Sequence, residues 1–116
     1  MRVPIDDFLP LAPATLHILL ALAGENLHGY GIMQEVSRQS EGRYKPGPGT
    51  LYDNLQRLMK QNLVEEVRRS PKDGNSRRRY YQLSSLGRGV LSAEIARLEG
   101  VVKEARVRRV PQPRRA

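Results

Sequence analysis

The final quarter of the chain carries a stripe of apolar residues beyond those that one core of modest size needs. The stripe has the alternating four- and three-residue spacing of a coiled-coil seam, which predicts one long helix over residues 86–110. Such a helix is about 37 Å long at 1.5 Å per residue. Because the residues before it already suffice for one core, we expect the stripe to pair with a second copy of the chain. Its members are Leu91, Ile95, Leu98, Val102 and Ala105.

The length of the chain limits it to one domain. It has 116 residues and a mass of 13.1 kDa, and domains most often contain roughly 100–150 residues. A chain this short has room for one core and little room for a separate catalytic domain.

Three shorter helices are predicted before the stripe. The first extends from Pro13, which suits a first turn, to Gly24, and the third begins near Thr50 and ends at Asn62. The second is predicted over residues 27–40, where two glycines early in the helix indicate close approach of another element. Its predicted buried residues are Tyr30, Ile32, Met33 and Val36. A short helical segment is expected near residues 6–9 of the N-terminal arm.

Two strands are predicted between the third helix and the long helix. Residues 63–70 and 78–84 have strand-like patterns, and Asp73-Gly74 between them is a strong turn signal. In the second strand, Tyr81 and Leu83 alternate with polar residues and are expected to face the core. The long helix is expected to begin at Ser85, a residue type that caps helix N-termini well.

The positive charge is concentrated in the second and last thirds of the chain. The net charge is +8, yet residues 1–42 are net acidic, whereas residues 43–79 carry ten basic and four acidic side chains. A uniformly basic, solubilising coat would not be distributed in this way. The pattern favours a polyanionic partner, for which nucleic acid and an anionic membrane surface are the alternatives.

Several classes of protein are disfavoured by composition and motif. The chain has no cysteine and two histidines, which excludes disulfides and leaves little for a metal centre. No Gly-x-Ser-x-Gly motif occurs, and no Gly-Lys-Ser/Thr follows the glycines at 47 and 49. No apolar run approaches the roughly 20 residues that span a bilayer. We therefore expect no enzyme, no catalytic residues, no metal or cofactor, no membrane association, and a cytoplasmic location.

The order of elements predicts a mainly α fold with a small β-hairpin. Three helices followed by a hairpin are typical of the winged helix-turn-helix, here extended by a long C-terminal dimerisation helix. We expect an N-terminal arm over residues 1–12, a DNA-binding domain over 13–84, the dimerisation helix over 85–110 and a basic tail over 111–116. The third helix carries its polar side chains opposite the leucines, and a helix of this diameter fits the DNA major groove.

The chain resembles the PadR family of transcriptional regulators. The resemblance is carried, in order, by His28-Gly-Tyr-Gly-Ile, Gly47-Pro-Gly-Thr-Leu-Tyr-Asp-Asn-Leu-Gln-Arg-Leu, Asn62-Leu-Val and Arg79-Tyr-Tyr-Gln-Leu-Ser-Ser-Leu-Gly. It implies a homodimeric repressor with a winged-helix domain and a C-terminal dimerisation helix, of a kind that in some members responds to small aromatic compounds. Because only about 30 residues follow the hairpin, the resemblance is to the short-tailed subfamily with one C-terminal helix.

Candidate DNA-binding residues come from the resemblance and from charge. The resemblance assigns DNA contacts to Thr50, Tyr52 and Asn54, although Tyr52 packing against the second helix is the alternative. Charge and position assign phosphate contacts to further residues in the loop before the third helix, on that helix and in the wing, which is the predicted hairpin and its tip. These are Lys45, Arg57, Lys60, Lys72, Arg77 and Arg78.

The function expected from these observations is that of a dimeric, sequence-specific DNA-binding regulator. We expect it to be a repressor released by a small-molecule effector and to bind double-stranded DNA at a near-palindromic operator. The resemblance implies a small aromatic compound as the effector, and constitutive repression or another input is the alternative. The alternatives from other classes are a winged-helix module that binds proteins and an architectural protein that binds DNA without base specificity.

Overall fold

The structure is a computed structural model, of which residues 3–67 and 79–113 are described. A short 3₁₀ helix, Ile5–Phe8, precedes α1 (Pro13–Gly24), β1 (Leu27–His28), α2 (Gly29–Gln39) and α3 (Pro48–Lys60). They are followed by β2 (Val64–Val67), β3 (Tyr80–Leu83) and α4 (Ser85–Val107).

The first helix has the predicted bounds, but its buried face is shifted from the one indicated by the helical spacing of Leu16, Leu19, Leu20 and Ala23. Ile18, Leu19 and Leu22 are buried in the core, while Leu20 is partly exposed. Because α1 is apolar on nearly all sides, its sequence does not identify the side that faces the core.

The second helix begins two residues later than predicted. Leu27 and His28 form the short strand β1, which pairs with β3, and the ring Nδ1 of His28 then accepts a hydrogen bond of 3.1 Å from the backbone N–H of Gly31. This side-chain cap fixes the start of α2. The predicted burial of Tyr30 is wrong, since 62% of this residue is exposed, whereas Ile32 and Val36 are buried as predicted.

The third helix buries a leucine face and ends in a tight turn. Leu51, Leu55 and Leu58 are fully buried, in agreement with their helical spacing. Asn62 has a φ of 63°, and the backbone N–H of Leu63 donates to the carbonyl oxygen of Leu58 at 2.9 Å. This is a Schellman turn, so Asn62 ends the helix as predicted.

The three strands form one antiparallel sheet in the order β1-β3-β2. Glu66 and Leu27 both lie opposite Tyr81, one on each side of the central strand. Tyr81 and Leu83 point into the core, which confirms the predicted alternation. The sequence predicts a two-stranded hairpin, which corresponds to β2 and β3. Strand β1 was not predicted, because two residues are too few to show an alternating pattern.

The last helix is capped one residue earlier than expected. Ser84, not Ser85, is the N-cap, and its hydroxyl accepts a hydrogen bond of 2.9 Å from the backbone N–H of Gly87. The helix contains 23 residues and is therefore about 34 Å long. It ends at Val107, and Arg109 with a φ of 59° forms the turn that follows.

These elements assemble around one core, with α4 partly extending beyond it. The buried residues come from all four helices and from β2 and β3. The mainly helical arrangement of three helices, a small sheet and a long last helix confirms the predicted winged helix-turn-helix fold.

The N-terminal arm is attached to α4 by a buried carboxylate. Glu94 is 1% exposed; its Oε2 accepts a hydrogen bond of 2.8 Å from the backbone N–H of Leu11, and its Oε1 lies 2.5 Å from Nε of Arg97. The hydrogen bond from Arg97 lowers the pKa of Glu94, against the opposing effect of burial, and the Leu11 N–H lowers it further. The charged form of Glu94 is therefore the form that the fold requires.

Acid is expected to destabilise the protein through this carboxylate. Because the pKa of Glu94 is lower in the folded chain than its ordinary value of 4.5, its contribution to stability is present above pH 4.5 and is lost as the pH falls through the lowered value. Thermal unfolding between pH 3 and 7 should show a shallower loss of stability on the acid side for Glu94→Gln than for the wild type. Glu99→Gln, on the same helix and exposed, is the control and should follow the wild-type curve. Identical curves for Glu94→Gln and the wild type would contradict this role.

Candidate nucleic-acid interface

The outer face of α3 presents polar side chains to solvent. The helix follows Gly47, with Pro48 and Gly49 in its first turn, and its N-terminus has no side-chain cap. Thr50 is exposed, Tyr52 is 45% exposed and Asn54 is half-buried. Burial of the leucine face thus leaves these three residues near the uncapped, electropositive end of the helix.

The loop that leads into α3 is held in place by α1 and α2. Ser40 Oγ accepts a hydrogen bond of 3.0 Å from the backbone N–H of Tyr44, whose ring lies 5.2 Å from that of His17. Gln39 Nε2 in turn donates to the backbone oxygen of His17 at 2.5 Å. No local pattern in the sequence indicates this cluster, because His17 is 22 residues or more from its other members, Gln39, Ser40 and Tyr44.

Lys45 is exposed in this ordered loop. Its side chain passes over Gly42, and a Cβ atom at that glycine would lie 3.3 Å from Lys45 Cε. Gly42 also has a φ of 79°, a conformation that other residues rarely adopt. The Lys45 ammonium group therefore lies beside Gly42, in the loop that leads into α3.

Two predicted site residues on α3 are held by hydrogen bonds within the chain. Arg57 donates to Thr15 Oγ1 at 3.3 Å and to Asn54 Oδ1, and Asn54 Nδ2 donates to the backbone oxygen of Thr50 at 2.9 Å. Arg57 thereby connects α3 to the buried Thr15 on α1. The sequence shows only that Arg57 lies on the polar side of α3, not that it reaches another helix.

The positive charges near α3 are not neutralised by carboxylates. In residues 3–67 and 79–113, ion pairs are made by Arg38, Arg79, Arg97 and Arg108, whereas Lys45, Arg57 and Lys60 make none. Arg79 lies 3.5 Å from Glu66 on the neighbouring strand. The predicted wing residues Lys72, Arg77 and Arg78 lie outside the described residues.

A second candidate surface lies along α4. Leu91 is buried within the core of its own chain, Ile95, Leu98 and Ala105 are half-buried, and Val102 is 45% exposed. A cleft of about 400 Å³ lies between α1 and α4, beside the N-terminal end of this stripe. Its lining includes Ala23, Leu83, Leu91 and Ile95. The predicted stripe is therefore covered at its beginning and partly exposed from residue 95 onward, with Ile95 packed at the edge of the core.

Two further properties concern only the described part of the chain. No helix in it is long and apolar enough to span a membrane. No group of three or more His, Cys, Asp and Glu side chains in it is arranged to hold a metal ion.

Comparison with known proteins identifies the family. Residues 18–93, well over half of the chain, match the model of a family described as "Transcriptional regulator PadR-like family". The chain belongs to the PadR-like family of transcriptional regulators. The expected resemblance is thus confirmed, and the PadR-like family is one of regulators rather than enzymes.

Individual relatives agree with this membership of the PadR-like family. The chain is 37% identical to the transcriptional regulator Rv3488 of Mycobacterium tuberculosis over 93 residues, which are 80% of this chain and 82% of that protein. It is 34% identical to an uncharacterised protein of Lysinibacillus sphaericus over 87 residues, 75% and 78% of the two chains.

Solved structures of PadR-like proteins share the fold. A PadR family regulator from Clostridium difficile has a TM-score of 0.69 at 21% identity, with coverage of 82% of this chain and 96% of that one. A PadR-like regulator from Bacillus cereus has a TM-score of 0.70 at 19% identity, with coverage of 84% and 92%. Bacillus subtilis PadR in complex with operator DNA has a TM-score of 0.61 at 19% identity, covering 74% of this chain and 48% of that longer one.

Proposed function

We propose that this PadR-like chain is a dimeric, sequence-specific DNA-binding repressor whose helix α3 enters the major groove. The observation that carries the proposal is the exposed polar face of α3 together with Lys45, Arg57 and Lys60, which pair with no carboxylate among residues 3–67 and 79–113. Phosphate groups would neutralise these charges, and a helix of this width fits the groove. The B. subtilis relative that shares the fold was solved with its operator DNA, which supports the same partner here. A regulator of chromosomal DNA acts in the cytoplasm, so the proposal includes that location.

We assign different roles to the residues of this surface. Thr50 and Asn54 contact base edges or nearby phosphates, with Asn54 exchanging its bond to Arg57 for a bond to DNA. Tyr52 lies between them and is considered below. The cationic residues of the loop, α3 and the wing contact phosphate. They are Lys45, Arg57, Lys60, Lys72, Arg77 and Arg78.

The open apolar stripe of α4 supports the dimer. A second copy related by a two-fold axis would cover Ile95, Leu98, Val102 and Ala105 with the same residues. The division proposed is thus a DNA-binding domain over 13–84 and a dimerisation helix over 85–110, between an arm over 1–12 and a basic tail over 111–116. Two recognition helices would then read half-sites about 10 bp, or roughly 34–36 Å, apart on a near-palindrome.

Release of the repressor by a small aromatic compound forms the last part of the proposal. The α1–α4 cleft of about 400 Å³ is within the range of small-molecule sites and borders the open stripe. A ligand there would contact α1 and α4, and because α4 carries the proposed dimer interface, it would change the spacing of the two α3 helices.

Salt dependence tests the proposed DNA contacts. Each phosphate neutralised in the complex adds about −0.9 to the slope of log K against log salt. The wild type should therefore show a steep slope, and Lys45→Ala should reduce its magnitude by about 1. Fluorescence anisotropy with a labelled duplex at 50–200 mM salt measures both slopes. Lys103→Ala, an exposed lysine on α4, is the matched control, and a flat wild-type response would refute the proposal.

The wing arginines distinguish DNA binding from a protein-interaction role. Replacing both Arg77 and Arg78 by alanine should abolish retardation of a DNA duplex in a gel if the wing contacts DNA. Unchanged retardation would remove the wing from the proposed interface. Absence of retardation by the wild type itself would favour a module that binds proteins.

A further inference from the structure

Helix α3 approaches the start of α2 very closely where Tyr52 lies against Gly29. Gly29 is buried, and a Cβ atom built on it would be 2.6 Å from Tyr52 Oη and 3.0 Å from Tyr52 Cζ. Non-bonded carbon atoms lie about 3.5–4.0 Å apart at their best separation. Residue 29 therefore has no room for a methyl group while the Tyr52 ring stays where it is. The predicted close approach at the early glycines of α2 is thus confirmed for Gly29.

The backbone around Gly29 is held from both sides. The preceding residue, His28, lies in β1 opposite Tyr80 of β3, and its ring accepts the backbone N–H of Gly31, which follows. A strand pairing at residue 28 and a helix cap at residue 31 thus fix the chain on both sides of residue 29. Added bulk at that position would displace the Tyr52 ring rather than the backbone.

The Tyr52 ring also lies near the central strand of the sheet. Burial raises the pKa of Tyr81, and the nearby Tyr52 hydroxyl raises it further. Leu51, next to Tyr52 on α3, is fully buried, so this part of the helix is anchored in the core. Tyr52 consequently lies where α3, the start of α2 and β3 meet.

We propose that Gly29 is a positioning residue for DNA recognition, because its missing side chain leaves the Tyr52 ring room to lie against the start of α2. Gly29 is buried and does not itself touch DNA. A methyl group at residue 29 would push the Tyr52 ring out of this place, on the same part of α3 as Thr50 and Asn54. This inference rests on the proposed function, since it concerns the helix assigned to base recognition.

The test compares Gly29→Ala with Gly31→Ala. Both replace a glycine in the first turn of the same helix, but a Cβ atom at residue 31 would meet the His28 ring and Leu27 at 3.5 Å, an ordinary contact. The probe is a fluorescent duplex that the wild type selects from a random-sequence pool, compared with a random duplex of the same length. Gly29→Ala should bind the selected duplex about tenfold more weakly while keeping its affinity for the random duplex. Gly31→Ala should bind both like the wild type.

A double variant shows whether the effect passes through Tyr52. Since Tyr52→Ala removes the ring that the methyl group would strike, adding Gly29→Ala to it should cause no further loss of affinity. The ring proton resonances of Tyr52 should shift in Gly29→Ala and hardly shift in Gly31→Ala. The inference is overturned if Gly29→Ala binds like Gly31→Ala, or if its effect persists without the Tyr52 ring.

Failure of this inference is distinguishable from failure of the proposed function. If the wild type binds no duplex, the proposed function is refuted. If the wild type discriminates between the duplexes and Gly29→Ala does so equally well, only the positioning role is refuted. A loss of affinity that is equal for selected and random duplexes would indicate general destabilisation and would also count against positioning.

Discussion

Replacing Gly87 by alanine is expected to lower the free energy of unfolding by about 3 kcal/mol and the midpoint of thermal unfolding by roughly 10 °C. A Cβ atom on Gly87 would be 2.0 Å from the backbone oxygen of Leu63. That oxygen already accepts a hydrogen bond of 3.1 Å from the N–H of Ser84, and the N–H of Leu63 donates to Leu58. Because the obstacle is fixed backbone rather than a flexible side chain, α4 must move away from the end of α3.

The control for Gly87→Ala is Gly100→Ala on the same helix. A Cβ atom at Gly100 meets nothing within 4 Å, so the higher helix propensity of alanine should stabilise that variant by up to about 1 kcal/mol. Both are measured by calorimetry at equal protein concentration, since dimerisation makes the midpoint concentration-dependent. Equal midpoints for the two variants would show that the start of α4 is not packed as described.

Replacing Leu98 or Val102 by aspartate is expected to give folded monomers that bind the operator at least about 10²-fold more weakly. In the proposed dimer, a carboxylate on the seam would face the same carboxylate on the partner in an apolar surrounding, which is strongly unfavourable. In the separate chain, Val102 is 45% exposed and Leu98 half-buried, so the monomer should tolerate the charge at Val102 in particular. A monomer contacts only one half-site, so it loses the gain in affinity that comes from binding two linked half-sites, commonly about 10²–10⁴-fold.

Val107→Asp is the matched control for the seam variants. Val107 is on the same helix and 68% exposed, and it lies outside the four-three spacing of the stripe. Sedimentation equilibrium should give a dimer for the wild type and for Val107→Asp, and a monomer for Val102→Asp. An unchanged dimer in both seam variants would place the interface elsewhere.

Periodicity explains which parts of this fold are predictable from sequence. The leucines of α3 repeat with the helical period, and Tyr81 and Leu83 alternate with the strand period, so their elements and buried faces are predicted correctly. Asn62 marks the end of α3 because its side chain tolerates a positive φ. In each case the information lies within a few neighbouring residues.

The features that were mispredicted or missed depend on contacts between distant residues. Strand β1 has two residues and exists because β3 lies beside it, and the face of α2 that the core buries carries Gly29, Ile32 and Val36 rather than Tyr30. The burial of Glu94 requires Leu11, 83 residues away. No local pattern contains these partners.

The candidate site was only partly predictable for the same reason. Exposure of Lys45, Thr50 and Lys60 follows from the polar side of α3 and from its preceding loop. The hydrogen bond from Arg57 to Thr15 on α1 has no signal in the sequence. The contact between Gly29 and Tyr52 was partly predictable, since two glycines early in a helix indicate close approach and packing of Tyr52 against the second helix was one of the two alternatives for that residue.

Competition between specific and random DNA tests the central proposal most directly. The wild type is bound to a labelled duplex that it selects from a random-sequence pool, and unlabelled duplexes of the selected and of a scrambled sequence compete at 150 mM salt. A dimeric, sequence-specific regulator predicts an inverted repeat with half-sites about 10 bp apart and a preference of at least about 10³-fold for it over the scrambled duplex. Equal competition by the two duplexes, with no repeat recovered from the pool, would contradict the proposed function.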